Sequence, residues 1–187
     1  MRNMPSTLLD RYSALRQYSL QLAAPLSDED QCVQSMPDTS PTKWHLAHTS
    51  WFFENVVLLP FVPGYQVFDE AFARLFNSYY EALGPRHPRP QRGLLTRPGM
   101  DEVLAFRQHV DASIQQCLRH PEALNPQAMA LIELGLNHEQ QHQELMQTDI
   151  LHLLSCNPLL PVYDRTLAHP SAAVGDVHWL SFEEGCI

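Results

Sequence analysis

Leu134-Gly135-Leu136-Asn137-His138-Glu139-Gln140-Gln141-His142-Gln143-Glu144-Leu145 is the stretch whose periodicity decides the fold. It lies in a long run that opens with Asn125-Pro126 and closes at Asn157-Pro158. Asparagine caps a helix, and proline fits the first helical turn, where its missing N–H costs nothing, so the run reads as one long helix. Leu131, Leu134, His138, His142 and Leu145 fall on one side of it, and the pattern predicts that side to face the core. His138 and His142 stand one turn apart there, the spacing at which two imidazoles share a metal ion.

Three more amphipathic patterns precede this helix. The first runs from Thr7 to Ala24, with Leu8, Tyr12, Leu15, Tyr18 and Leu22 as its apolar stripe and Pro25 ending it; a short helical turn is expected at Ser27. The second opens at Ser40-Pro41, a capping residue and a first-turn proline, and ends near Pro60. Trp44, His48, Trp51, Phe52, Asn55 and Leu58 share a face there, which turns His48 toward the core. The third spans Met100 to His120, with Val103, Phe106, Val110, Ile114 and Cys117 as its buried stripe. Four such helices predict an all-α four-helix bundle, a fold that builds metal sites from side chains on facing helices. The long connection from Val62 to Gly99 is expected to be partly helical, with a helix over Asp69–Leu83. The arginine-proline stretch Gly84–Gly93 after it is expected to be non-helical.

A chain of 187 residues, 44% hydrophobic, supports one main core. The formal net charge of -9 and the lack of a basic stripe exclude a nucleic-acid partner. No apolar run is long enough for a membrane span. Cys32, Cys117, Cys156 and Cys186 form no CxxC pair, and a reducing cytoplasm is the expected compartment.

Chemistry concentrates in the histidines. A lone histidine on an apolar helix face is more often a hydrogen-bonded core residue than a ligand. His138 and His142 on one face, with His48 on another helix, make a three-histidine metal site the stronger reading, and His45 is the reserve ligand. His138-Glu139-Gln140-Gln141-His142 also matches the HExxH pattern of zinc hydrolases, with Glu139 as the base. That alternative needs a third ligand, and only Glu144, Asp149 and His152 follow, outside any longer family pattern. Arg86, Arg89 and Arg92 gather positive charge in an acidic protein. They read either as a proline-stiffened loop paired with nearby acids or as a bidentate carboxylate clamp.

Four strings extend the comparison beyond spacing. They are Met36–Glu54, which includes Trp44-His45-Leu46-Ala47-His48-Thr49-Ser50-Trp51; Leu75-Phe76-Asn77-Ser78-Tyr79-Tyr80-Glu81; Arg92-Gly93-Leu94-Leu95-Thr96-Arg97-Pro98; and Leu134–Leu145. Together they resemble the N-terminal DinB-like domain of the ergothioneine biosynthesis EgtB family, over about residues 5 to 165. Members of that family are non-haem iron sulfoxide synthases, which use O2 to join a cysteine-type thiol, cysteine or γ-glutamylcysteine, to the imidazole of hercynine.

The resemblance implies that His48, His138 and His142 hold Fe(II), with Zn or Ni as adventitious substitutes, and that positions stay open for thiol and O2. It implies that Gln141 contacts hercynine and that Arg86 and Arg89 hold the carboxylates of the thiol. It assigns no certain catalytic residue within these 187 positions. Family members continue into a C-terminal domain resembling formylglycine-generating enzymes and sulfatase-modifying factors. Trp179–Ile187 looks like the first residues of that domain. The expected organisation is therefore a bundle over residues 1–157, followed by a linker and the truncated start of a second domain over 158–187. A non-catalytic, metal-binding bundle is the remaining alternative.

Overall fold

Thr7 and Asp10 start the first helix by exchanging hydrogen bonds. The Asp10 N–H donates to the Thr7 hydroxyl at 3.1 Å and the Thr7 N–H to the Asp10 carboxylate at 3.2 Å. The computed structural model describes residues 7–78, 84, 86–166 and 178–181. Its helices are α1 (Leu8–Ala23), α2 (Thr42–Phe52), α3 (Leu59–Phe61), α4 (Phe72–Leu75), α5 (Met100–Arg119) and α6 (Pro126–Ser155). The fold is all-α, and no strand occurs among the described residues. None of the described helices is long and apolar enough to cross a membrane.

The four long helices α1, α2, α5 and α6 form the bundle, with α1 and α2 each packed on both α5 and α6. On α1 the inward face is Tyr12, Arg16, Ser19, Leu22 and Ala23. Tyr18, expected on the stripe, is exposed, because two of the inward positions are polar and hydrophobicity alone misplaces the face. The turn expected at Ser27 is a single reciprocal one, Asp30 N–H to Ser27 and Ser27 N–H to Asp30, and does not become a helix.

The second helix differs from its expectation in two ways. It starts at Thr42 with Pro41 as the flanking residue, and Ser40 makes no cap. The Ser40 hydroxyl instead accepts from Arg92 at 2.9 Å, a stronger, charge-assisted partner. Second, α2 is buried on every side, from Thr42 to Phe52, which makes it the central helix of the bundle. It continues through a π-helical segment, Phe53–Leu58, into α3. Wide π turns are frequent near functional sites. Here the widened segment presents Phe53 to α6 at Gly135, where an added Cβ would lie 2.4 Å from the ring.

In the connection, the described part of the helix expected over Asp69–Leu83 forms one turn, α4, seated by aromatic contacts among Phe72, Phe76 and Phe106. Residues 79–83 and 85 lie outside the described residues. The arginine-proline stretch is more regular than expected. Arg89–Leu94 forms a 3₁₀ helix with Pro90 in its first turn, a position that needs no N–H.

α5 carries Val103, Phe106, Val110, Ile114 and Leu118 inward, with Cys117 half-buried. α6 begins as expected, the Asn125 side chain accepting from the Gln127 N–H at 2.7 Å. Its buried face, however, is Ala128, Ile132, Gly135, Leu136, Glu139, His142, Gln143, Met146 and Ile150. Leu134 is 51% exposed and Leu145 37% exposed, so the predicted face is rotated toward solvent. The histidines stand at the rim of the buried stripe. Beyond α6, the Tyr163 hydroxyl donates to the Leu22 carbonyl at 2.6 Å and ties residues after the bundle to α1. Most of Trp179–Ile187 and the stretch 167–177 lie outside the described residues.

Candidate metal centre

Trp44, His48 and Trp51 follow one another at helical spacing on α2, and their rings lie nearly parallel. His48 is 4.5 Å from Trp44 and 5.5 Å from Trp51, each at an interplanar angle of 12°. The two indoles leave the imidazole little freedom to rotate. Its Nδ1–H donates to the Phe76 carbonyl at 2.5 Å, at the end of α4. A neutral imidazole carries one proton, so this bond leaves the His48 Nε2 with a lone pair.

That lone pair faces α6. His48 Nε2 lies 3.2 Å from His138 Nε2, a separation suited to two ligands each roughly 2.0–2.1 Å from a common ion. His48, His138 and His142 each bring a nitrogen within 4.8 Å of the others, and these three residues could hold a metal ion. The donor set fits one. The His138 Nδ1 is buried without a hydrogen-bond partner among the described residues, and all three rings are held in the neutral form. Burial lowers the His48 pKa well below its ordinary value, with His138 adding to the effect. Burial also brings His138 to about 4 and takes His142 well down, the latter helped by the facing imidazoles. Neutral imidazole is the ligating form.

His45, the reserve ligand, does not join the three. Its Nδ1 sits 2.9 Å from the Nδ1 of His142 and its Nε2 3.1 Å from the Asp149 carboxylate, so it stands behind His142. Burial holds it below its ordinary pKa against the pull of Asp149.

Glu139 occupies the position that the zinc-hydrolase alternative reserves for a base, and its surroundings do not suit that role. It is turned into the core, where it accepts from Arg16 at 2.9 Å, Arg107 at 2.5 Å and Ser19 at 2.6 Å. Burial alone would raise its pKa, but Arg107 and then Arg16 outweigh that and hold it at about 2. A carboxylate so paired has no oxygen aimed at the histidines and no affinity for a proton at neutral pH.

The histidines line a cavity of about 250 Å³, with Trp44 and Leu145 as apolar wall and Gln141, Ser40 and Ser78 as polar wall. Arg89 and Arg92 complete it. Arg92 is buried, its guanidinium 3.3 Å from the Trp44 ring centroid, with Nη1 donating to Ser40 at 2.9 Å and Nη2 to Ser78 at 3.3 Å. Arg89 donates to the Asp38 carbonyl. Arg86 lines a neighbouring cavity of about 370 Å³ that shares Ser78, Arg89 and Arg92 with the first, and it donates to the Ser78 carbonyl at 3.0 Å. Gln141 and Arg89 therefore meet at the histidine cavity, while Arg86 stands one cavity away.

Sequence reading names Arg92 only as one of three loop arginines and Ser40 only as a helix cap, and it gives no site role to Ser78 or to the pairing of His45 with Asp149. For Asp149 a signal exists, since it lies seven residues after His142, on the same side of α6. Arg92 and Ser78 come from the irregular connection, whose path no periodicity reveals.

No curated protein matches the chain. A family model described as the DinB superfamily matches residues 11–146, which spans most of α1, all of α2 and α5 and most of α6, with His48, His138 and His142 inside it. The chain belongs to the DinB superfamily.

Proposed function

We propose that this bundle is the iron-binding part of a non-haem Fe(II) sulfoxide synthase like that of ergothioneine biosynthesis, joining cysteine or γ-glutamylcysteine to hercynine with O2. The observation that carries the reading is one cavity with three neutral imidazoles on one side and the Arg89 and Arg92 guanidiniums on another. A thiol that also bears a carboxylate needs both. Ferrous iron on three imidazoles would supply a Lewis-acidic centre with open positions for the thiolate and O2.

The chain's own residues bind and orient. Arg89, with Arg86 beside it, receives the carboxylates of the thiol substrate; Arg's planar fork suits that task. Gln141 reaches the cavity from α6 and offers an amide to the hercynine ring. Trp44 and Leu145 exclude water from one wall. In this reading a further domain after residue 157 completes the hercynine pocket, and the protein works in the reducing cytoplasm, which suits the free thiols of Cys32, Cys117 and Cys156. The surroundings of Glu139 argue against hydrolysis with that residue as base.

Anaerobic titration with Fe(II) and Zn(II), read by calorimetry on the wild type, His48→Ala and His142→Ala, tests the centre. One metal per chain is expected, with tight binding lost in both variants. Cysteine and γ-glutamylcysteine are then added to the Fe(II)-loaded protein, with serine as the control that keeps the carboxylate and lacks sulfur. Thiols that bind no better than serine would remove the synthase reading and leave a metal-binding bundle.

A further inference from the structure

His142 is approached from behind by a chain of three polar groups, one on α2, one on α6 and one just before α2. Its Nδ1 meets the Nδ1 of His45 on α2 at 2.9 Å; the Nε2 of His45 meets Asp149 Oδ2 on α6 at 3.1 Å; and the same oxygen accepts the Ser40 N–H at 2.8 Å, just before α2 begins. His45 is almost wholly buried, and Asp149 is only slightly exposed. Neither residue belongs to the group that could hold the ion.

The proton inventory of this chain permits one arrangement. Two neutral imidazoles facing each other through Nδ1 share a single proton, so one ring donates and the other accepts. If His45 donated through Nδ1, its Nε2 would turn a lone pair toward Asp149 Oδ2, two acceptors in contact in a buried place. Asp149 Oδ2 already accepts from Ser40, which identifies it as an acceptor. The direction without such a clash runs the other way. His142 Nδ1–H donates to His45 Nδ1, and His45 Nε2–H donates to Asp149. The His142 Nε2 is then left with its lone pair.

We propose that Asp149 and His45 are positioning residues that lock His142 in the tautomer whose Nε2 can ligate a divalent metal. This rests on the three-histidine reading above and adds to it a cause for the ligand's orientation. His48 is set in the same tautomer by a backbone carbonyl, Phe76, whereas His142 depends on a side-chain relay ending in a carboxylate. Such a relay fixes the ring and makes the ligating nitrogen more basic. It also fastens α2 to α6, because His142 and Asp149 on α6 hold His45 between them.

The test uses the full chain and Zn(II), which is diamagnetic. Long-range ¹H–¹⁵N spectra of the zinc-loaded wild type are expected to show His142 protonated on Nδ1 and zinc-bound through Nε2, with His45 protonated on Nε2. Zinc on the His142 Nδ1, or a His45 protonated on Nδ1, overturns the relay without any variant having to fold. Calorimetry then compares variants. His45→Phe, which keeps a ring and removes both nitrogens, is expected to lower zinc affinity roughly 10–100-fold at unchanged stoichiometry. Asp149→Asn weakens it by a smaller factor. His45→Asn, whose Oδ1 can accept from His142 Nδ1–H, recovers part of the loss. Unchanged affinity in His45→Phe, or Asn no better than Phe, sinks the relay and leaves the three-histidine centre standing. Failure of the wild type to bind zinc at all removes the centre and the relay together.

Discussion

Glu139 accepts a 2.5 Å hydrogen bond from the Arg107 guanidinium on α5, although it directly follows His138 in the chain. Neighbouring positions on a helix diverge by about 100°, so one faces the cavity and the other the core. The pair with Arg107, joined by Arg16 and Ser19, ties α6 to α5 and α1. Removing one partner of a buried ionic cluster leaves the rest uncompensated, at a cost of about 3–5 kcal/mol. Glu139→Gln is expected to lose stability on that scale in urea denaturation, while the folded fraction still binds one zinc ion. A variant that folds as well as wild type but no longer binds metal would return Glu139 to the chemistry.

Acid should act through the same carboxylate. Its folded-state pKa is held at about 2, below the ordinary 4.5, so the unfolded chain takes up a proton first as pH falls. The stabilisation is complete above about pH 5 and is lost progressively as pH drops from 4.5 toward 2. Wild-type stability measured across that window should therefore fall more steeply than that of Glu139→Gln. Parallel slopes would mean that the pairing contributes nothing.

The bundle was legible because its helices carry caps and periodic apolar residues, as at Asn125-Pro126 and along Val103, Phe106 and Val110. The three histidines were legible by spacing and by their place on helices. Two things were hidden. The core of this protein is partly ionic, with Arg16, Arg107 and Glu139 buried, so a hydrophobic pattern places α1 and α6 slightly rotated from their true setting. Ser78, Arg89 and Arg92 in the cavity wall come from a connection held by hydrogen bonds such as Gln34 to the Arg89 carbonyl, and such bonds leave no period in the sequence.

Close approach of α6 to the π-helical segment makes Gly135 a packing position. An added Cβ would meet Phe53 at 2.4 and 2.7 Å and Phe52 at 3.0 Å. Both rings are fully buried and cannot swing away cheaply. Gly135→Ala should cost about 1–3 kcal/mol despite alanine's better helix propensity. Chemical denaturation checks it; a stabilised variant would show that α6 can shift, and the metal affinity of that variant would then report whether His138 shifts with it.

Arg92 is where charge and aromatic packing meet in the cavity. Lysine would keep the charge but lose the planar stack on Trp44 and the forked bonds to Ser40 and Ser78. Arg92→Lys is expected to lower stability by about 1–2 kcal/mol, the stack supplying much of it, and to change the fluorescence of Trp44. It should also weaken carboxylate-bearing thiols more than it weakens zinc, since the guanidinium lines the cavity without belonging to the metal-capable group. Equal loss of both would show that Arg92 supports the histidines and not the substrate.

Metal should stabilise the fold with the logarithm of its excess over Kd. The three rings that could hold it come from α2 and α6, so an ion bound to them ties the central helix to its neighbour, a link that the unfolded chain lacks. Mass action then gives about 2.7 kcal/mol at a free zinc concentration one hundred times Kd. Thermal melts of chelator-treated wild type should rise stepwise with added zinc. The His48→Ala melt should stay flat over the same range, because the ligand on α2 is gone and the pair left on α6 no longer bridges two helices. A His48→Ala protein that still gains stability would place the ion on α6 alone and shift the centre away from the cavity beneath Trp44.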